Sequence, residues 1–384
     1  MTHRRAIVVD DVVPRAGWGA GYPRSAQIVQ ALSRCSDDVT LCPMMERSLP
    51  PAPAESFAGN VALSGDVGQL ALRSTLATRR GEPGLLWIGR PHNLAWVVGM
   101  HRTLPALFSK LRMVYDAEAV FACRDISALK LAGTPLSEVQ SRRLLRKELQ
   151  PAELAHAIVT VSAIEQKLVR DVIGRAAALI GLAAQPEPTT TPFAERRGLL
   201  FFGALWDEAA PNADSVRFFV ERVLPRVAQR IDARLRIAGS GSDRAAWLAA
   251  IAGAGVDIEG PVADLAALFG QARVFVAPTR YGAGIPLKVV DAARHGVPVV
   301  ATTLIAEQLR WQHGRELLVA DDADAMAQAC VDLHQDERLW ERLRSAALDA
   351  VKRDFDPAAF DAAVAGVAWG QAPALAAPSS APSP

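Results

Sequence analysis

From Ala6 to Ser162 the chain alternates short apolar, β-branched runs with stretches of helical length: AIVVD, YPRSAQIVQALSRC, DVTLCP, NVALS, LLWIG, LRMVYD, then AHAIVTVS. The rhythm restarts at Gly198 with GLLFFG, ARLRIAG, VDIEG, ARVFVAP, VPVVAT and ELLVA. Strands separated by helices cannot pair as hairpins. Each helical crossover lays the next strand parallel to the last, so the pattern demands α/β domains with parallel sheets. Because one core stops growing near roughly 250 residues, 384 residues with two such rounds imply two domains. The expected fold class is α/β, with two doubly wound Rossmann-like domains facing across a cleft.

Residues 1–180 form the first expected domain and 199–370 the second. Between them, AAQPEPTTTPFAERR lacks apolar periodicity, and its Pro and Thr content suits an extended linker at 181–198. The final QAPALAAPSSAPSP, residues 371–384, has no amphipathic pattern and reads as a disordered tail. The helical segment just before it, 356–369, could pack back on the first domain.

The 42 basic residues nearly cancel 41 acidic ones, which argues against a nucleic-acid partner and leaves any anion to be held by local charge. Half of the residues are hydrophobic, yet no run approaches the ~18 unbroken apolar residues of a membrane span. The opening MTHRRAIVVDD leads directly into a strand, and the expectation is a cytoplasmic protein. Cys35, Cys42, Cys123 and Cys330 show no C-x-x-C and no nearby His at ligand spacing, so they read as reduced packing residues and no metal site is expected.

Ligands of open α/β sheets gather at the carboxyl edge of the strands, which singles out the residues just past each strand. Gly17, Gly19 and Gly21 in RAGWGAGYPR follow the first strand, but Tyr22 stands where a dinucleotide fingerprint needs a small residue. VTLCPMM also ends without the acidic residue that would hold a ribose, so no nicotinamide cofactor is expected. What is left is a turn in which Gly19 and Gly21, with Arg24, could meet an anionic or hydroxyl-rich ligand; a plain strand-to-helix turn explains it equally well. IGRPHN and YDAEAVFACRD add Arg90, His92, Asn93, Asp116, Glu118 and Arg124 at the same edge. The charged run SEVQSRRLLRKELQPAEL reads as a solvated helix face.

The passage PTRYGAGIPLKVVDAARHGVPVVAT, residues 278–302, says most about function. A buried strand gives way to a glycine turn and then a helix, which aims N–H donors and the positive end of the helix dipole at one spot. Arg280 and Lys288 would neutralise an anion there, a diphosphate rather than a single carboxylate, and Asp291 could accept hydrogen bonds from a ribose.

These residues resemble the group-one glycosyltransferases often called family four, proteins of the GT-B fold, over nearly all of residues 5–365. FFGALWDEAAPNADSVRFFVERVLPRV is similar to the first strand and helix of that family's donor domain, LRIAGSG to its second strand, and residues 256–302 to its donor-site core. YDAEAVFACRD and ELAHAIVTVSAIEQKLV resemble its first domain. The resemblance implies a nucleotide-diphosphate sugar held by the second domain, an acceptor held mainly by the first, and transfer with retention of configuration. It places Asp291 at the second glutamate of a paired-carboxylate motif, Gly203 beside the diphosphate, and Gly282 and Gly284 in the turn before the helix. Ala283 replaces the first glutamate and Ala204 an arginine common in the family, so Arg280 and Lys288 would have to supply the missing charge.

The expected enzyme is thus a glycosyltransferase acting on a hydroxyl of a glycan or lipid-linked saccharide. It would need no cofactor beyond the donor co-substrate and no metal, since there is no convincing D-x-D: Asp10-Asp11 lacks the spacer and DDAD lies at a polar helix start. Glu118, Asp116 and His92 are candidates for orienting acceptor or sugar. A lipid-linked acceptor would bring peripheral contact with the inner face of a membrane. Two rivals are a nucleotide-sugar 2-epimerase of the same architecture and a non-catalytic nucleotide-sugar-binding or scaffold protein.

Overall fold

The computed structural model describes residues 3–14, 21–45, 57–253 and 255–370. Gly17, Gly19 and the tail 371–384 lie outside them. The first sheet comprises β1 (Arg5–Asp10), β2 (Asp38–Pro43), β3 (Val61–Leu63), β4 (Gly84–Gly89), β5 (Leu111–Asp116), β6 (Ala157–Thr160) and β7 (Ala178–Leu179). Their order is β3-β2-β1-β4-β5-β6-β7, and every pairing is parallel. The second comprises β8 (Arg197–Phe202), β9 (Leu235–Ala238), β10 (Val256–Gly260), β11 (Ala272–Ala277), β12 (Val299–Ala301) and β13 (Leu318–Val319). It runs β10-β9-β8-β11-β12-β13, again all parallel.

The central strands β1, β4, β8 and β11 are buried on both faces, which is why they are largely apolar rather than alternating. In the first sheet, Ile7, Val9, Leu86, Ile88 and Tyr115 pack on one side and Ala6, Val8, Leu85, Trp87 and Val114 on the other. The order of strands reverses between β1 and β4 and again between β8 and β11. Helices leave opposite faces there, so a crevice opens beyond the strand ends.

The domain boundaries need one correction. The helix Pro357–Trp369 inserts Phe360, Val364, Val367 and Ala368 among Ile28, Val29 and Leu32 of the first domain. The segment 199–370 is therefore one stretch of sequence but not one body, for the chain crosses back after Phe355, whose ring still packs in the second domain. Both crossings run side by side, with Ala184 N–H donating to the Phe355 carbonyl at 2.8 Å. The linker is also anchored more firmly than its composition suggests. Arg196, fully buried, donates to the carbonyls of Thr191, Phe269 and Ala272 and to Thr189 Oγ1, and its guanidinium lies 5.0 Å from the Trp340 ring centroid. The charged run forms the helix Glu138–Leu149, opened by a Ser137–Gln140 capping box and largely solvated.

Candidate functional site

On the second domain, β8 delivers Gly203 to the crevice and β9 delivers Gly239. A Cβ on Gly239 would fall 2.2 Å from the Gly203 carbonyl oxygen, and its φ of 126° suits glycine, so only glycine lets these two turns touch. Asn212, in the first turn of the helix Pro211–Phe218, then joins the parts. Its Nδ2 donates to the Ala204 carbonyl at 2.9 Å and its Oδ1 accepts from Lys288 Nζ at 2.6 Å. The ammonium also sits 4.7 Å from the Phe201 ring centroid. Burial lowers the Lys288 pKa from 10.5 to about 7.

Arg280, the other expected phosphate cation, is placed differently. Its Nε donates to Asp214 Oδ2 at 3.0 Å, its Nη2 reaches the other carboxylate oxygen, and it covers the Phe218 ring. This bidentate pair neutralises it. Lys288, rather than the pair of cations, is the charge set beside the Gly203 turn. Asp291 follows one turn later on the helix Leu287–Arg294 and accepts from Arg294 Nε at 3.1 Å. Burial raises its pKa, and the Arg294 guanidinium pulls it partly back.

Gly282 and Gly284 form the turn before that helix. Gly284 has φ 82°, and a Cβ there would sit 3.3 Å from the Glu118 carbonyl oxygen and from Ala119 Cβ. Its N–H donates to Glu165 Oε1 at 3.0 Å, the same oxygen that takes the Val120 N–H at 3.0 Å. A buried carboxylate of the first domain thus already holds one donor of the turn in which an anion was expected.

On the facing rim the expected residues separate into two sets. Asp116 is buried, accepting from Arg24 Nη1 at 2.9 Å and Trp87 Nε1 at 3.2 Å. Arg24 spends its remaining donors on the Gly181 and Ile180 carbonyls, at 2.6 and 2.9 Å. The pair clasps the end of the first domain, and this buried fork is committed to protein partners rather than presented to a ligand.

Glu118, Arg90 and His92 form the second set, around two aspartates. Arg90 Nε lies 2.9 Å from Glu118 Oε2, 3.0 Å from Asp10 Oδ1 and 3.5 Å from Asp11 Oδ2, with its guanidinium 4.6 Å from the Tyr22 ring centroid. Burial pushes the Glu118 pKa up to about 8, with Arg90 drawing it down and Asp10 adding to the rise. Gly21 makes room for this side chain, since a Cβ there would land 1.3 Å from Glu118 Oε1. Asp11 is held low: burial raises its pKa, but bonds from His92 Nε2 and Asn93 Nδ2 and the charge of Arg90 outweigh it. His92 remains 40% exposed, so a ligand can reach its ring. Arg124 is exposed and pairs with its neighbour Asp125.

Asp10, Asp11, Asn212 and Glu165 were not singled out from sequence as site residues. The first two stand at the end of β1, which was a usable signal; Asn212 and Glu165 matter through partners as far as 76 and 119 residues away. Among the described residues, no group of three or more His, Cys, Asp or Glu could hold a metal ion. No described helix is long and apolar enough to cross a membrane.

Two parallel-sheet domains meeting edge to edge, with glycine turns, a lysine and a carboxylate on one rim, have the GT-B architecture. Residues 196–336 match the family description "Glycosyl transferases group 1". Among solved structures the chain is similar to sucrose-phosphate synthase from Thermosynechococcus elongatus, with TM-score 0.70 and 16% identity over 94% of this chain and 96% of that one. It is also similar to Alr3699/HepE of Anabaena in complex with UDP and glucose, with TM-score 0.67 and 15% identity over 94% and 97%. A third is a point mutant of TarM from S. aureus, solved with fondaparinux, α-GlcNAc-glycerol and UDP, with TM-score 0.59 and 10% identity over 77% and 58%. No curated protein sequence matches the chain.

Proposed function

We propose that the protein is a glycosyltransferase that moves a sugar from a nucleotide diphosphate to a hydroxyl of a glycan or lipid-linked saccharide, with retention and without a metal. The observation that bears most weight is Lys288, half-buried beside the Gly203 turn and held at 2.6 Å by Asn212, with Asp291 one turn beyond it. A diphosphate against Lys288 and the turn N–H groups would leave its ribose near Asp291. The UDP and glucose held by the Anabaena protein support the same class of donor.

As the glycosidic bond breaks, negative charge grows on the departing diphosphate. A fixed ammonium and fixed N–H dipoles stabilise that charge with little reorganisation, and such stabilisation is commonly the main source of an enzyme's rate enhancement. Residues of the facing rim would orient the sugars. Glu118 can hold a proton near neutral pH, and Asp11 fixes the ring of His92, so the rim offers both a donor and an oriented imidazole to sugar hydroxyls. Asp116 supports this rim through Arg24 rather than meeting a sugar. An acceptor anchored in lipid would bring the protein to a membrane surface.

Incubation with UDP-, GDP-, dTDP-, ADP- and CMP-sugars, alone and with a panel of saccharide acceptors, tests the proposal by mass spectrometry. Release of one nucleotide diphosphate, coupled to a glycosylated product, is expected. An isomerised donor with no acceptor used would indicate the epimerase, and no change in any donor would indicate the scaffold.

A further inference from the structure

The loop between β8 and the helix Pro211–Phe218 holds an indole out in solvent. Trp206 is 62% exposed. Its ring is nevertheless seated, for a Cβ on Gly241 would lie 2.7 Å from the ring carbon Cδ2, and Gly241 has φ 84°. One face therefore rests on glycine backbone while the rest meets water. The loop is pinned on several sides: Leu205 N–H donates to the Ser240 carbonyl at 2.8 Å, Asn212 to Ala204 at 2.9 Å, and Tyr281 Oη to the Ala209 carbonyl at 2.7 Å. Through Asn212 and Tyr281 the loop is tied to both Lys288 and the turn of residues 279–284.

A large aromatic surface left in water forgoes the stabilisation that burying it would return, and a pinned ring loses little entropy when something lands on it. The next two residues, Asp207 and Glu208, are exposed carboxylates, with Arg217 paired to Glu208. They determine what can land. A neutral sugar ring turns its C–H face to the indole and its hydroxyl donors to carboxylates such as Asp207.

We infer that Trp206 is a stacking platform for a saccharide ring of the acceptor, at the mouth of the donor site. Its role toward an acceptor rests on the transfer proposed above, whereas the sugar-binding surface itself does not. The loop would hold the acceptor from the second domain's side.

The test uses the full chain with 15N-labelled tryptophan, the Trp206 indole N–H signal being the one absent in Trp206→Phe. Methyl α-D-glucopyranoside, maltose and cellobiose are titrated into it at millimolar concentrations, and UDP and UMP separately. The inference expects that signal to move with at least one saccharide, and Trp206→Ala to weaken the saccharide about fivefold or more while UDP affinity stays unchanged. Movement with UDP or UMP but with no saccharide overturns it in favour of a nucleobase platform. A signal unmoved by everything also overturns it, leaving a solvated side chain. The transfer proposal is judged separately: UDP, GDP, dTDP and ADP are followed by thermal shift, and a saccharide response without any nucleotide response would sink that proposal while sparing the platform.

Discussion

Donor binding should take up a proton, and Lys288 should be the residue that takes it. Burial holds its pKa near 7 rather than 10.5 in the free protein, while a diphosphate brought against it would favour the charged form and raise the value again. If the ammonium is the binding form, it makes up about 90% of the molecules at pH 6 and about 9% at pH 8, so the donor's Kd rises roughly tenfold across that interval, or about 1.4 kcal/mol. A sugar-esterified diphosphate is the right probe, because it lacks the terminal phosphate ionisation near pH 6 that free UDP carries. Calorimetry at pH 8 in buffers of different ionisation enthalpy counts the protons directly, with uptake of close to one expected. Lys288→Met should bind weakly with no pH slope, while Lys288→Arg should keep some affinity and lose the slope. An affinity flat from pH 6 to pH 8, or the same slope in Lys288→Met, would refute the argument.

Arg280→Ala should change donor affinity far less than Lys288→Met, because Arg280 is spent on Asp214; titration calorimetry on both variants decides it. Gly21→Ala drives a Cβ into Glu118 and forces a strained φ, so urea melts should show a loss of about 2–4 kcal/mol. Adding Glu118→Ala to it should recover part of that loss. Glu165→Ala strips one acceptor from both Val120 and Gly284 N–H groups, and calorimetric melting should fall by about 1–3 kcal/mol. Glu118 has its pKa raised from 4.5 to about 8 on folding. The native state therefore holds the extra proton through that window, and this residue's share of stability is full below about 4.5 and lost as pH rises to about 8. Glu118→Gln should flatten the corresponding part of the stability profile in denaturant melts.

What could be seen in the sequence followed from local rules. The spacing of AIVVD, LLWIG and ARVFVAP forces parallel strands, and parallel strands place ligand chemistry at their carboxyl ends, where Gly203, Lys288 and Glu118 are found. The use each charge is put to was not visible, because partners far along the chain set it. Arg280 looked available for phosphate until Asp214, 66 residues earlier, was found to bind it, and Arg24 looked available until Asp116, 92 residues on, did so. Asn212 holds Lys288 across 76 residues, and no local pattern marks an asparagine in a first helical turn as a bridge. The return of the helix Pro357–Trp369 to the first domain was foreshadowed by its apolar face, but its partners, Ile28 and Leu32, lie in the first helix of the chain.

The most direct test of the central claim is a thermal-shift titration of the purified chain with UDP, GDP, dTDP, ADP and CMP, repeated on Lys288→Met and Asp291→Ala. A ligand at a hundredfold its Kd adds about 2.7 kcal/mol to stability, a shift of several degrees for a domain of this size. The account predicts that one nucleoside diphosphate stabilises the wild-type chain and that neither variant responds at the same concentration. Stabilisation undiminished in both variants, or no response to any nucleotide, would contradict it.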